Sequence, residues 1–254
     1  MLETRDLTIR FGGHVAVDRV SCSFAPGTLT AIVGPNGAGK TTFFNLVSGQ
    51  LRAGAGSVWL DGRDITALSV SARTHLGLGR AFQLTQLFPM LSVVENVRLA
   101  VQSRRHEGLS LLSVWSDRKE TLARAHALVE QVRLGARADA IASSLPHGDQ
   151  RKLEVAMLMA LEPSVYMFDE PTAGISTADV PVILDLIRAL KGAADKTILL
   201  VEHKMDVVRE LADRIVVLHN GQLVADGEPE EVIASEVVQS AYLGIAPQSE
   251  LAAA

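Results

Sequence analysis

One stretch constrains the fold more than any other. The apolar run "LTAIVG" leads directly into Gly34-Pro35-Asn36-Gly37-Ala38-Gly39-Lys40-Thr41, and the chain continues as "TFFNLVSGQ". This fits the spacing G-x-x-x-x-G-K-[ST]. The glycines let the backbone curl with its N–H groups pointing inward, Lys40 adds a cation and Thr41 a hydroxyl. Such a cradle suits the phosphates of a nucleotide, with Lys40 on the β- and γ-phosphates and Thr41 on Mg²⁺. It needs an apolar strand before it and a helix after it, and the flanking residues supply both.

The rest of the chain agrees with an α/β core. "SVYMFDE" (164–170), "KTILLVEH" (196–203) and "RIVVLHNG" (214–221) read as buried strands, with "DVPVILDLIRALKGA" and "KMDVVRELAD" as helices between them. Strands alternating with helices imply a parallel sheet. Residues 2–33 read as short strands broken by Gly12-Gly13 and Pro26-Gly27, and 56–66 as a strand pair about Asp61-Gly62. From 84 to 154 the pattern turns helical. We expect one domain over 1–243, with its core in 1–83 and 155–243, a helical insertion at 84–154 and a short tail at 244–254.

Composition removes several function classes. The net charge of −5 argues against non-specific binding to nucleic acid or anionic lipid. Residues 84–154 hold ten Lys/Arg against eight Asp/Glu, so the insertion is no basic arm. Cys22 is the single cysteine, which excludes an internal disulfide and reads as a small core residue. No histidine or cysteine spacing suggests a metal site. No apolar run reaches the roughly 18 residues of a membrane span. "MLETRDLTIR" carries charges where a signal peptide needs an apolar stretch. The expectation is a cytosolic chain that reaches a membrane through partner proteins.

Candidate chemistry gathers at the strand ends. "VYMFDE" closes on two carboxylates: Asp169 suits Mg²⁺, and Glu170 suits a general base for an attacking water. Adjacent buried acids near a phosphate are costly without a cation, so Mg²⁺ is implied. His203 follows another buried strand and fits either a γ-phosphate donor or a core histidine. Gln83 fits either a contact to Mg²⁺ and water or a plain surface residue. Phe11, beside Gly12-Gly13, fits either stacking on a purine or packing in the small sheet. "LTQLFPMLSVV" gathers Leu84, Leu87, Phe88, Met90 and Leu91 near this site, either as core or as a groove for a partner helix. Finally, "LPHGDQRKLEVAML" places a turn before a long helical run from about 150, and a helix start suits an anion.

These pieces, in this order, resemble the ATP-binding cassette of ABC transporters over about residues 3–243. The resemblance implies a P-loop NTPase (RecA-like) core with an antiparallel β subdomain and an inserted α-helical subdomain. It implies ATP and Mg²⁺ as ligands, with Gly34–Thr42 (Thr42 included) on the phosphates, Thr41, Gln83 and Asp169 on the metal, Glu170, Gln83 and His203 catalytic, and Phe11 stacking on adenine. It also implies a head-to-tail dimer, in which a signature motif at 145–149 faces the ATP of a second cassette. That motif is usually LSGGQ-like. Here it reads Leu145-Pro146-His147-Gly148-Asp149, with proline for the serine and histidine for a glycine.

Within the family, "FGGHVAVDRVSCSF", "RAFQLTQLFPMLSVVENV", "LVEHKMDVVRELADRIVVLHNGQLVADGEPEEV" and "AYLG" look like the importers of branched-chain or hydrophobic amino acids. Those imply two membrane permease subunits, a periplasmic solute-binding protein and a place on the cytoplasmic face of the inner membrane, with no nucleic-acid partner. Related cassettes serve urea, amides and aromatic acids. A soluble ABC-type ATPase of DNA repair or ribosome work would show paired cassettes, long coiled coils or basic faces, and none is present. A kinase or GTPase would leave the 145–149 turn and His203 unexplained.

Overall fold

In the computed structural model, residues 1–81, 87–104, 119–235 and 238 are described. The glycine loop sits between β3 (Leu29–Val33) and α1 (Lys40–Ser48). β3 belongs to a six-stranded sheet with β6 (Leu78–Ala81), β7 (Val165–Asp169), β8 (Thr197–Val201), β9 (Arg214–His219) and β10 (Gln222–Gly227). The order is β10-β9-β3-β8-β7-β6, and every pair is parallel except β9–β10. Every residue of β3, β7 and β8 is buried. Their near-continuous apolar runs are what a parallel sheet covered on both faces requires.

The pleat divides the core. Tyr166, Phe168, Ile198 and Leu200 enter one cluster with the helical arm and α6 (Val180–Lys191). Val165, Met167, Leu199 and Val201 enter another with Phe43, Phe44 and Val47 of α1. The same second cluster takes Leu2, Leu7 and Ile9 of β1 (Leu2–Phe11) and Val17, Val20 and Phe24 of β2 (His14–Phe24). β1 and β2 pair with β4 (Ala55–Leu60) and β5 (Arg63–Asp64) as an antiparallel sheet, order β2-β1-β4-β5. Its strands are longer than the sequence suggests, because β1 and β2 absorb register shifts rather than ending at them. Cys22 lies buried on β2, and burial raises its thiol to about 12.

The arm consists of α3 (Val93–Arg104), α4 (Lys119–Gln131) and α5 (His147–Ala160). Two details differ from the expectation. α5 begins at His147, so His147, Gly148 and Asp149 form its first turn instead of preceding it. It also runs unbroken through residues 154 and 155, where core and insertion were expected to meet. The smaller α-helices among the described residues are α2 (Val70–His75), α7 (Met205–Leu211) and α8 (Pro229–Ala234). No helix among the described residues is long and apolar enough to cross a membrane.

Candidate functional site

β3, β8 and β7 are adjacent and parallel, so their carboxyl ends share one edge of the sheet. Register places Ile32 and Asp169 both opposite Val201. That edge is where open α/β sheets bind ligands. A cleft of about 410 Å³ lies there. Phe11, His14 and Ala16 line it from the small sheet, residues 36–42 from the loop and α1, and Glu170 and His203 from the ends of β7 and β8.

The loop is shaped by backbone. Gly39 caps α1 at φ 98°, and a Cβ there would lie 2.4 Å from the carbonyl oxygen of Ala16. Any side chain at this position would push the small sheet off the loop. α1 has no side-chain cap and no acid in its first turn, so its free N–H groups and dipole face the cleft unneutralised. Lys40 Nζ donates to the carbonyls of Gly34 at 2.7 Å and Pro35 at 3.0 Å, which stand behind the lining. Burial lowers the Lys40 pKa, against the opposing pull of Glu170 and Asp169. Phe11 is half exposed, and cross-strand pairing sets it opposite His14. It therefore lines the cleft rather than being buried in the sheet.

Asp169 is 1% exposed. Its Oδ2 accepts from Arg80 Nη2 at 2.7 Å, and its Oδ1 has no hydrogen-bond partner. Glu170 follows in the left-handed region at φ 49°. Its Oε1 lies 2.8 Å from His203 Nε2. A carboxylate only accepts, so the ring nitrogen donates. The histidine is itself held: buried Glu202 accepts from the His203 amide at 2.8 Å and from the Thr172 hydroxyl at 2.8 Å.

The 145–149 segment does not line this cleft. Leu145 is buried, Pro146 caps α5, and His147 is exposed in its first turn. Gly148 is pressed against α6, where a Cβ would meet Asp179 Oδ2 at 2.7 Å. Asp149 pairs with Arg137 at 2.8 Å and Lys152 at 2.9 Å, so its charge is locally neutralised. Gln83 and Leu84 lie outside the described residues.

This edge-of-sheet site has counterparts among known proteins. Residues 17–173 match the profile of a family described as ABC transporter. The chain belongs to the ABC transporter family. The cassette is 37% identical over 249 residues to the high-affinity branched-chain amino acid transport ATP-binding protein LivG of Escherichia coli K12, covering 96% of this chain and 98% of that protein. It is 36% identical to BraF of Pseudomonas aeruginosa, which carries the same description, with the same coverage. Among solved structures it resembles the ADP conformation of MJ1267, an ATP-binding cassette of an ABC transporter, with TM-score 0.80 and 30% identity over 96% of this chain and 99% of that one. This chain is thus an ATP-binding, ATP-hydrolysing cassette of the ABC type.

The cassette brings Phe11, the glycine loop, Asp169, Glu170 and His203 to one edge. Sequence reading overlooked His14, Arg80, Arg151 and Glu202. His14 was within reach, because a tight turn at Gly12-Gly13 sets it opposite Phe11. The others are lone charged residues, each with a contact into the site from 18 to 89 positions away, and no local motif marks those contacts.

Proposed function

We propose that this chain is the energising subunit of a membrane importer for branched-chain or other hydrophobic amino acids, working as one cassette over residues 1–243. The observation that carries its chemistry is the 2.8 Å contact of Glu170 with His203 at the mouth of the glycine loop. Residues 34–42 and Lys40 hold the ATP phosphates, and Phe11 stacks on the adenine. Glu170 takes the proton of the attacking water. His203 keeps that carboxylate aimed and donates toward the γ-phosphate as it leaves. The residues fit Mg²⁺: Asp169 Oδ1 is a buried oxygen without a partner at the end of β7, and Thr41 brings a hydroxyl to the cleft from the start of α1. One carboxylate plus substrate phosphates is the usual donor set for this ion. Thr41 and Asp169 would hold it, with Gln83 the third candidate, and it would neutralise charge on the β- and γ-phosphates.

The 145–149 segment does not line the chain's own cleft, which supports its facing the ATP of a second cassette in a head-to-tail dimer. An apolar groove of about 360 Å³ between β6, α3 and α5 supports a permease contact. Phe88 stands at it, 51% exposed, next to Met90 at 78%. Leu87 is instead partly buried against the core. The assembly we infer has two permeases, a periplasmic solute-binding protein reached through them, and this chain on the cytoplasmic face. Glu170→Gln should slow hydrolysis by roughly 10²- to 10⁴-fold while ATP still binds; unchanged turnover refutes the base assignment. Disruption of the gene should abolish uptake of labelled leucine. Normal leucine uptake together with loss of another solute would refute the substrate.

A further inference from the structure

Arg151 stands on α5, just after the 145–149 segment, yet its guanidinium reaches the central sheet. Nη2 donates to the backbone carbonyls of Asp169 and Glu170, both at 3.1 Å. Nη1 donates to Glu154 Oε2 at 2.7 Å, one turn along the same helix. The two side chains are only 9% and 7% exposed. Removing both charges from water is costly, so such a pair is poor as a source of stability alone. What a planar guanidinium fork supplies is direction.

The direction supplied concerns Glu170. The carbonyls of Asp169 and Glu170 belong to the two peptide planes that flank the Glu170 Cα. A third restraint is the Glu170 amide, which donates to the Val201 carbonyl at 2.9 Å. Holding both planes fixes φ and ψ of this residue in a region that non-glycine residues rarely adopt, at φ 49°. With the backbone fixed, the Cα–Cβ bond has one direction, and the carboxylate meets His203. We propose that Arg151, oriented by Glu154, is a positioning residue for the Glu170 carboxylate. The inference rests on Glu170 being the general base. It also ties the helical arm to that base, and Glu154 lines the apolar groove on its far side.

The test compares Arg151→Met, Arg151→Lys and Glu154→Gln in the full chain, each with and without Glu170→Gln. Steady-state ATP turnover and the affinity for a fluorescent ADP analogue are measured side by side. Misplacing a reacting group by about 1 Å can cost roughly 100-fold in rate. Arg151→Met should therefore lower kcat by roughly 10- to 100-fold, with analogue affinity within about twofold. Lysine offers one ammonium for three acceptors and should lose less; Glu154→Gln should fall between. In the Glu170→Gln background the same changes should alter the residual rate less than about twofold, because no base remains to be aimed. Equal losses of rate and affinity, or full additivity with Glu170→Gln, overturn the proposal. If Arg151→Met does not fold, the lysine and Glu154 variants decide by the same criteria. If Glu170→Gln alone fails to slow turnover, the base assignment has failed and the positioning role falls with it.

Discussion

Replacing Arg80 by methionine should destabilise the protein through a residue it does not remove. Arg80 lies on β6 with its side chain 5% exposed, and the side chain of Asp169 has no exposure at all. The guanidinium donates to Asp169 Oδ2 at 2.7 Å and to Asn45, Ser48 and Gln50 of α1 and its end at 2.7 to 3.1 Å. Its plane also lies 5.5 Å from the Phe44 ring centre. Asn45 and Gln50 reach solvent on the α1 side and can exchange Arg80 for water. Asp169 cannot: its other oxygen already has no partner. Arg80→Met would leave a fully buried carboxylate unpaired, a loss of about 3–5 kcal/mol. For a chain of this size that lowers Tm by roughly 6–20 °C. The check is calorimetry or urea unfolding of Arg80→Met, Asp169→Asn and the double variant. Neutralising the acid removes the charge that Arg80 compensates, so Arg80→Met/Asp169→Asn should be more stable than Arg80→Met by at least about 2 kcal/mol. A double variant no more stable than the single one would refute the reasoning. It would place the contribution of Arg80 in its α1 contacts.

Phe88→Asp should keep the wild-type Tm within about 2 °C, since the residue is half exposed, and should release the chain from membranes carrying its permeases; co-sedimentation reads this. Pro146→Ser should raise ATP turnover of the full transporter by roughly ten- to a hundredfold at the partner's site, because a hydroxyl donor to a charged phosphate contributes about 1.5–3 kcal/mol; equal rates before and after remove that reading. Cys22 should resist thiol reagents in the native state at pH 8. Burial raises its pKa from 9.0 to about 12, so only roughly one thiol in 10⁴ is ionised there, and labelling should follow unfolding by urea. Rapid native labelling would contradict its burial.

What the sequence made legible was whatever depends on neighbours in the chain. The run before Gly34, the paired acids after "VYMF" and the histidine after "ILLV" each combine a period with a punctuation mark. Buried parallel strands write themselves as unbroken apolar runs. The elements that escaped lack such marks. β6 spans only Leu78–Ala81, with a glycine and an arginine among its four residues, and it becomes a strand because β7 offers it a paired edge. β10 carries Asp226 and Gly227 and is mostly half-buried, so it shows neither alternation nor an apolar run. The start of α5 was misplaced by three residues, because Gly148 and Asp149 resemble a turn. Packing against Asp179 and pairing with Arg137 and Lys152 draw them into the helix instead.

The same distinction separates the groups proposed to act from the groups proposed to aim them. Lys40, Glu170 and His203 stand in short motifs, because each must sit where a strand ends and a loop begins, and that junction is local. Arg80, Arg151 and Glu202 act across the fold. Arg80 ties β6 to β7 and α1, Arg151 ties α5 to the end of β7, and Glu202 ties the end of β8 to Thr172 after β7. Each spends a buried charge on orientation, which is costly for stability when counted alone. A buried charge that satisfies a neighbouring strand end, at the edge of the sheet that opens on the cleft, makes sense as geometry. Glu170 at φ 49° needs restraint from more than one element, and it has it from α5 through Arg151, from β8 through Val201 and from His203. A backbone held from two elements and a carboxylate held by His203 are what the proposed general base needs, since a group already in place would take a proton from water without first reorganising.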